Sequence, residues 1–444
     1  MASTWITMTQ PSGGSRRKWT WSAWVKKSST GANQSLCVAY QDSANWTSIN
    51  FETSDQLNFY EYQGSSVVGQ KKLSMVSRDI NGWYHFMIIW DSENTTADDR
   101  MIIYVNGVRQ TAFSASTNPA VNTSTAMNRN GYPVRIGTNN SNNYFNGIIS
   151  DVNFCGGQAL APTIFGETDI DTGEWRIKDN PTFTPGIGGY SILRNGNTIT
   201  DQSANSNNFT VGGGTLTKTE DCPSNVFATF NPLYQTLVGT NVYWYGNTDL
   251  DSSTNDNEFH GASTLGMTSG KYYAEFKMKS GIYNLVGITS SPSNDARTNT
   301  AVRNSANSYG LYSSNGKLNT STYAASYTTP NVIGCAVDLD NNKIYFSKDG
   351  VWATGSGAWG SSTFDSSIGA FSITDPSLTV EGAYFFAISD ADQGSSGKFS
   401  ANFGNGYQGT TAVSSAGTNA SNNGIFEFDV PAGYTALSTK GLNL

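Results

Sequence analysis

The stretch WYHFMIIWDSENTTADDRMIIYVNGVRQ, residues 83–110, holds two apolar runs separated by a polar loop. In the first run Phe86, Ile88 and Trp90 fall on one face, and residues 101–105 repeat the same period of two. This period is typical of a half-buried β-strand, because successive side chains of a strand point to opposite faces. The stretch therefore predicts an antiparallel hairpin at the centre of a β-domain.

A second stretch, IGCAVDLDNNKIYFSKDGVW at residues 333–352, has the same organisation. The dipeptide Asn106-Gly107 follows the first hairpin, and Asp349-Gly350 follows the second. Both dipeptides favour tight turns, since they accept positive φ. We expect two β-sandwich domains, each built around one such hairpin.

The composition agrees with many short strands. The 46 glycines and the frequent turn dipeptides favour strands over helices, and 444 residues suggest more than one domain. We predict an all-β fold class with two antiparallel β-sandwich domains of jelly-roll type, joined by an extended connector. The predicted boundaries are a loose leader at 1–18, a sandwich at 19–180, a trailing strand and connector at 181–240, and a second sandwich with a C-terminal closing strand at 241–444.

Charge and cysteine content exclude some partners. The formal net charge of −8 argues against a nucleic-acid partner. No signal peptide and no membrane-inserted segment are expected, because the sequence lacks an apolar run of sufficient length. The cysteines are far apart and three lie in strand-like runs, so we predict free thiols and folding in a reducing cytoplasm. They are Cys37, Cys155, Cys222 and Cys335.

The quoted motifs of the first half carry a family resemblance. KWTWSAWVKK, the stretch around the first hairpin, and RIGTNNSNNYFNGIISDVNF resemble the concanavalin-A-like (laminin-G-like) jelly roll of tailed-phage structural proteins. The resemblance covers roughly residues 18–178, with Gly156-Gly157 where that family usually has Asp-Gly. A following Asp-x-Ser-x-Asn-x-Asn-Asn-Phe run resembles the segment that trails the jelly roll in the same proteins. From it we predict that Tyr190–Val211 pack back on the first domain and that Gly212–Tyr234 form an extended connector.

The second half resembles another sandwich family. GKYYAEFKM, LVGITS, the second hairpin and AYFFAIS follow the order of landmarks of the SPRY domain, from about residue 261 to 404. The tail FEFDVPAGYTALST resembles the end of SPRY-containing phage proteins.

The sequence lacks the residue patterns that a catalytic role would require. Glucanases of the jelly-roll class show a Glu-x-Asp-x-x-Glu pattern, and Glu167-Thr168-Asp169 begins it, but Thr172 stands where the second Glu should be. Of the two histidines, His85 is expected to be a surface or satisfied structural residue, and His260 to lie in a polar loop. We therefore predict that the chain is not an enzyme.

A cation site is one candidate. Asp91, Asp98 and Asp99 lie in or next to the loop of the first hairpin, and loop oxygens suit Ca²⁺. The alternative is that these are solvated turn residues. No other cofactor is expected.

A ligand site is the other candidate. Trp352 and Trp359 flank a polar loop, with Tyr309 as a third aromatic, and sugar rings pack on such side chains. Asp295 and Arg297 lie in an inter-strand loop of the kind in which SPRY domains bind partners. The alternatives are a core role for the tryptophans and a solvated charge pair.

These observations lead to a functional prediction. We expect a non-enzymatic phage virion structural protein, a tail fibre, spike or capsid decoration, that displays lectin-like sandwiches and binds host-surface glycans. Its partners would be other virion proteins and glycans, in a homo-oligomer, for which a trimer is common among fibres. Assembly would take place in the host bacterial cytoplasm. The alternatives are a purely architectural virion protein and a carbohydrate-active glycoside hydrolase.

Overall fold

The computed structural model describes residues 3–140, 142–178, 180–194, 198–234, 241–252, 259–390 and 397–443. The chain divides into two compact units, Met1–Lys218 and Thr219–Leu444. Nearly all regular structure is strand, arranged in several antiparallel sheets, and the predicted all-β class is confirmed.

The first unit contains two main sheets. Its strands are β1 (Trp5–Thr9), β2 (Lys18–Lys27), β3 (Gln34–Asp42), β4 (Asn45–Phe51), β5 (Gln56–Gln63), β6 (Ser66–Val76), β7 (Tyr84–Asp91), β8 (Met101–Val105), β9 (Val108–Arg109), β10 (Phe113–Thr117), β11 (Pro133–Ile136), β12 (Gly147–Gly156), β13 (Gly166–Thr168), β14 (Trp175–Ile177), β15 (Tyr190–Ile192) and β16 (Thr210–Gly213). Single-turn helices span Ala97–Asp99 and Pro162–Ile164. The eight-stranded sheet has the order β10-β6-β5-β4-β3-β11-β1-β16, the six-stranded sheet has β15-β12-β2-β7-β8-β9, and β13 pairs with β14.

Strands β7 and β8 form the predicted hairpin. Its cross-strand apolar pairs are all buried, and they are Phe86–Val105, Ile88–Ile103 and Trp90–Met101. The turn that follows β8 uses Asn106 and Gly107, whose φ values of 47° and 76° are the positive angles that the dipeptide predicts. Trp21 on β2 and Trp90 on β7 are both 0% exposed.

The prediction of a loose leader at residues 1–18 is wrong for Trp5–Thr9. This segment is β1, which pairs with β11 on one side and β16 on the other. Ile6 and Met8 alternate into the core, at 3% and 7% exposure. The alternation in WITMT was therefore a strand signal, and burial of its two apolar side chains holds the segment in the sheet.

The segment after the jelly roll returns to the first unit, as predicted for Tyr190–Val211. β15 extends the six-stranded sheet and β16 the eight-stranded sheet. Asp201, which opens the Asp-x-Ser motif, accepts hydrogen bonds from the backbone N–H groups of Ser191, Ser203 and Asn207. The motif thus closes a turn that fixes β15 against the sheet.

The second unit has the same construction. Its strands are β17 (Asn241–Trp244), β18 (Asp249–Ser252), β19 (Phe259–Ala262), β20 (Lys271–Ser280), β21 (Asn284–Thr289), β22 (Tyr309–Tyr312), β23 (Lys317–Leu318), β24 (Ser321–Thr322), β25 (Val332–Asp338), β26 (Lys343–Lys348), β27 (Val351–Ala353), β28 (Trp359–Ser361), β29 (Phe371–Ser372), β30 (Phe385–Asp390), β31 (Lys398–Asn402), β32 (Tyr407–Gln408), β33 (Thr411–Ala412) and β34 (Thr435–Ala436). Helix α1 spans Pro292–Thr298, and single turns span Val302–Asn304, Pro376–Leu378 and Gly441–Asn443.

Two sheets also dominate this unit. The larger follows the path β17-β18-β31-β20-β25-β26-β27-β28, with β29 on β26 and β34 parallel to β20. The smaller has the order β19-β30-β21-β22-β23-β24, and β32 pairs with β33. The predicted hairpin is β25–β26, in which Cys335 pairs with Phe346 and Val337 with Ile344, all of them 0% exposed.

The prediction of an extended connector is wrong for residues 219–234, which belong to the second unit. Phe227 and Phe230 are 1% and 0% exposed, and they form β-bridges with Ser438 and Ser263. Burial of these two rings holds the segment against the rest of the second unit. The prediction is also wrong for Gly212 and Gly213, which end β16 of the first unit, and residues 235–240 lie outside the described residues.

All four cysteines are free, as predicted. In the described part of the chain, no helix combines the length and the hydropathy of a membrane span.

Candidate functional site

The outer surface of the six-stranded sheet is covered by the chain itself. Apolar side chains from the segment after β12 pack against Met87 and Ile89 of β7 on that side, and they are Leu160, Ile164, Phe165 and Phe183. The hairpin β13–β14 adds Trp175, whose indole lies 5.9 Å from the His85 ring. The eight-stranded sheet therefore offers the unit's other broad outer surface for a ligand.

His85 shows how firmly this cover is attached. Its Nδ1 accepts a hydrogen bond from Trp175 Nε1 at 3.1 Å, so Nε2 carries the proton and donates to Ser22 Oγ at 2.8 Å. Trp24 stacks on the ring at 5.0 Å. Burial lowers the pKa of His85 to about 3, which keeps the ring neutral. His85 is thus a satisfied structural residue.

His260 is not in a polar loop, contrary to the prediction. It lies in β19, a strand whose four residues are all buried, and is itself 0% exposed. Burial lowers its pKa to about 3. Neither ring nitrogen has a hydrogen-bond partner among the described residues.

The outer surface of the eight-stranded sheet carries an aromatic row, defined here as Tyr40, Trp46 and Tyr62. These residues lie on the adjacent strands β3, β4 and β5 and pair directly, Tyr40 with Trp46 and Trp46 with Tyr62. The Trp46 and Tyr62 rings stack with centroids 4.0 Å apart. Trp46 Nε1 also donates to the Tyr60 hydroxyl at 3.2 Å. All three rings are partly exposed and are held in place before any ligand arrives.

Arg135 lies between the aromatic row and Trp5 of β1. The Arg135 guanidinium on β11 lies 5.7 Å from the Tyr40 ring and 5.6 Å from the Trp5 ring. Gly212 makes room for Trp5, since a Cβ there would lie 2.2 Å from its ring. Strands β5 to β1 are four spacings apart, so the surface is about 19 Å wide.

A polar network borders the aromatic row on the same outer surface. Asn58 donates to Glu52 at 2.7 Å and accepts from Gln70 at 3.1 Å. Lys72 forms an ion pair with Glu52 at 2.5 Å. Amide and carboxylate groups can form hydrogen bonds with the hydroxyls of a sugar, and the flat aromatic rings beside them can pack on its C–H faces. The arrangement is therefore suited to holding a carbohydrate chain.

The predicted tryptophans of the second unit do not form such a surface. Trp352 is 8% exposed and packs 4.8 Å from Phe364 and 6.3 Å from Tyr273, so the core alternative describes it. Trp359 is partly exposed on β28 and packs against the main core cluster. The Lys348 ammonium lies 5.5 Å from its ring.

The other predicted ligand residues are also separate from one another. The Tyr309 hydroxyl accepts from the Thr374 backbone N–H at 2.9 Å, inside the unit. Residues 292–298 form helix α1 rather than a loop, and the fully buried Asp295 accepts hydrogen bonds from Thr289 and Ser305. Burial raises the pKa of Asp295. Arg297 is exposed on the same helix.

The three candidate cation ligands each have their own partner. Asp91 is 8% exposed and forms an ion pair with Lys18 at 3.1 Å. Asp98 accepts from Asn118 at 2.7 Å, and Asp99 pairs with Arg109. Within the described residues, no three Asp, Glu, His or Cys side chains are arranged to hold a metal ion. The structure does not bring these aspartates together.

The aromatic row escaped prediction from sequence, which placed binding in the second domain. A signal was present, because Trp46 and Tyr62 fall on the strand phase opposite to the buried Ile49 and Phe59. Alternation therefore marks these rings as pointing outward, but it does not show that their strands are neighbours.

Comparisons with known proteins agree with this fold. Residues 2–164, which lie within the first unit, match a family model described as the concanavalin A-like lectin/glucanases superfamily, of the laminin G-like type. The sequence matches none of the curated proteins with which it was compared.

Three solved structures show a distant likeness. A heptameric SAP-like pentraxin from Limulus polyphemus is 16% identical over 44% of this chain and 90% of its own, with a TM-score of 0.27. The SPRY domain of human HERC1 is 15% identical over 39% of this chain and 96% of its own, with a TM-score of 0.27. Domain 4 of AbnA, a GH43 extracellular arabinanase from Geobacillus stearothermophilus, was solved with arabinotriose. It is 19% identical over 34% of this chain and 65% of its own, with a TM-score of 0.26.

Proposed function

We propose that this chain is a non-enzymatic structural protein of a tailed-phage particle that binds host-surface glycans through the aromatic row of its first unit. The observation that carries the glycan part is the stacking of Trp46 on Tyr62, beside Tyr40, on an outward sheet surface. Rings fixed in this way lose little conformational freedom when a sugar packs on them. Glu52 and Gln70, which are partly exposed and are positioned by the buried Asn58, supply partners for sugar hydroxyls.

A binding role fits the carboxylates of this surface better than a catalytic role. Glycoside hydrolases need two carboxyl groups about 5–9.5 Å apart. Asp42 ends β3 and pairs with Asn45 at the start of β4, whereas Glu52 follows the end of β4, so seven residue steps along β4 separate the two carboxylates by about 23 Å. Of the sequence candidates, Glu167 and Asp169 are both engaged by Arg176. We infer that the chain binds glycans without hydrolysing them.

The proposed virion role, as a tail fibre, spike or capsid decoration, rests on the resemblance of the quoted motifs to structural proteins of tailed phages. Free cysteines support assembly in the bacterial cytoplasm before incorporation into the particle. Its partners are then other virion proteins, and a homo-oligomer such as a trimer would repeat the aromatic row and raise avidity. We propose no cofactor for this binding.

The test is a double substitution, Trp46→Ala with Tyr62→Ala, assayed on a panel of bacterial envelope polysaccharides. Loss of about 1.5–3 kcal/mol of aromatic contact should weaken binding about tenfold or more. Tyr245→Ala is the matched control, because it removes a ring that is 41% exposed in the second unit.

Melting temperature is recorded for every variant. If wild-type protein binds no polysaccharide, or if the double variant binds as wild type does, the aromatic row is not the site. Release of reducing ends by the wild-type protein would overturn the non-enzymatic part.

A further inference from the structure

A pocket of about 360 Å³ opens at the edge of the first sandwich. Strands β6 and β10 form that edge of the eight-stranded sheet, and β8 and β9 form the edge of the six-stranded sheet. The residues around the pocket are Lys71, Asp98, Met101, Arg109, Gln110, Thr111, Phe113 and Ser116. Its volume is at the small end of the range of ligand sites, about 300–1,000 Å³.

Lys71 is the unusual residue of this pocket. It is 3% exposed, because it pairs with the buried Phe59 and so lies on the inward face of β6. Its ammonium donates to Ser116 Oγ at 2.7 Å and lies 4.9 Å from the Phe113 ring. No carboxylate of the described residues forms an ion pair with it. An ammonium has three donors, so two of them remain for a ligand.

The rest of the lining combines a second cation with hydroxyl and carboxylate groups. Arg109 pairs with Asp99 at the rim, where its side chain is 42% exposed. Asp98 accepts from Asn118 through Oδ1, which leaves Oδ2 as an acceptor. Burial lowers the pKa of Lys71 and the charge of Asp98 raises it. The pocket thus offers donors to an anion on one side and an acceptor to hydroxyls on the other.

We propose that this pocket binds the carboxylate of a sugar acid, with Lys71 and Arg109 holding the carboxylate and Asp98 accepting from a ring hydroxyl. A single negative charge compensates the buried ammonium of Lys71. A phosphate dianion fits less well, because the Asp98 carboxylate repels a double negative charge more strongly than a single one. The site shares no residue with the aromatic row, and it stands or falls independently of the function proposed above.

The experiment is a ligand-observed NMR titration of the whole chain with sodium D-glucuronate, D-glucose and inorganic phosphate. Glucuronate should bind, and glucose and phosphate should bind more weakly. Lys71→Met keeps the side-chain volume and should weaken glucuronate binding about tenfold or more, because a charge-assisted hydrogen bond is lost. Lys317→Met is the control, since it removes an exposed lysine of the second unit.

Arg109→Gln provides an independent variant at the exposed rim, should the buried substitution disturb folding. It too should weaken glucuronate binding, while Trp46→Ala should not. Absence of glucuronate binding to the wild-type chain, or equal binding by folded Lys71→Met, would overturn the proposal. Tighter binding of phosphate than of glucuronate would also overturn it and identify a phosphate site.

Discussion

Two buried glutamates, Glu61 on β5 and Glu275 on β20, should respond in opposite ways to the same substitution. In Glu61, Oε1 accepts from Gln63 Nε2 and from the Ala126 backbone N–H, both at 3.0 Å. Its Oε2 faces only the hydroxyl of Thr47, at 2.5 Å. A hydroxyl can accept as well as donate, so a glutamine amide at position 61 can donate to Thr47 and keep all three contacts.

Glu275 has no such freedom. Its Oε1 accepts from the Phe428 backbone N–H at 2.8 Å and from the Tyr273 hydroxyl at 3.3 Å. Its Oε2 accepts from the Glu427 N–H at 2.9 Å and from Asn402 Nδ2 at 3.1 Å. Either oxygen therefore faces a backbone N–H, and a glutamine must place its own N–H₂ against a donor.

The pH dependence of Glu61→Gln can be worked out from the burial of the wild-type carboxyl. Burial raises the pKa of Glu61 from 4.5 to about 8. Between these values the folded protein keeps the proton and the unfolded chain loses it, so stability falls as pH rises. The fall is about 1.4 kcal/mol per pH unit, or about 5 kcal/mol at most from pH 4.5 to 8. Glu61→Gln should remove this dependence and be more stable than wild type near pH 8.

Glu275→Gln should instead destabilise the second unit. Burial raises the pKa of Glu275 to about 7, so the substitution also removes the part of the pH dependence of stability that this carboxyl causes. At pH 7 and below, however, one or two buried donors would be left without an acceptor. Each costs about 1–3 kcal/mol.

Hydrogen exchange measured by mass spectrometry from pH 5 to 8 can follow the two units separately through peptides that contain β5 and β20, after correction for the intrinsic exchange rate. Glu174→Gln, at an exposed position, is the control. The reasoning fails if Glu61→Gln loses protection at pH 8, or if Glu275→Gln is as stable as wild type at pH 6.

Two further substitutions test other parts of the argument. Lys27→Met removes a fully buried ammonium that pairs with Asp55 at 2.8 Å and leaves that carboxylate to the largely exposed Arg78 at 3.3 Å, so it should destabilise the first unit by about 3 kcal/mol, the lower end of the range for a broken buried pair, measured by urea unfolding. Adding Asp55→Asn to Lys27→Met should recover part of the lost free energy of unfolding. Trp359→Ala should lower the melting temperature of the second unit by removing about 1–3 kcal/mol of core contact, with polysaccharide binding unchanged. Weaker binding with an unchanged melting temperature would restore Trp359 as a ligand residue.

The two central hairpins could be predicted from sequence because local rules decide them. Alternation at Phe86–Trp90 and at Ile333–Val337 fixes which face is buried, and the following Asn-Gly and Asp-Gly pairs fix the turns. The leader was missed because WITMT is short, and a five-residue alternation competes with the polar residues around it. Its partners, β11 and β16, are distant in sequence, so only the folded sheet shows that it pairs.

The candidate site could not be predicted in the same way. Alternation shows that Trp46 and Tyr62 point away from the core, but it does not show which strands are neighbours. The cover over the six-stranded sheet depends on Trp175, a residue 90 positions from its partner His85. Without that contact, the sequence gives no reason to prefer one outer surface over the other.

An outward aromatic row could also exist only to stabilise the sheet. A cross-strand aromatic pair contributes about 0.2–1 kcal/mol, so Trp46 with Tyr40 and Tyr62 would supply about 2 kcal/mol at most. That role requires no polar groups beside the rings. It does not account for Glu52 and Gln70, which are partly exposed and place oxygen and nitrogen atoms on the same outward surface. A Trp46→Ala variant that loses little stability and much polysaccharide binding would therefore distinguish recognition from sheet stabilisation.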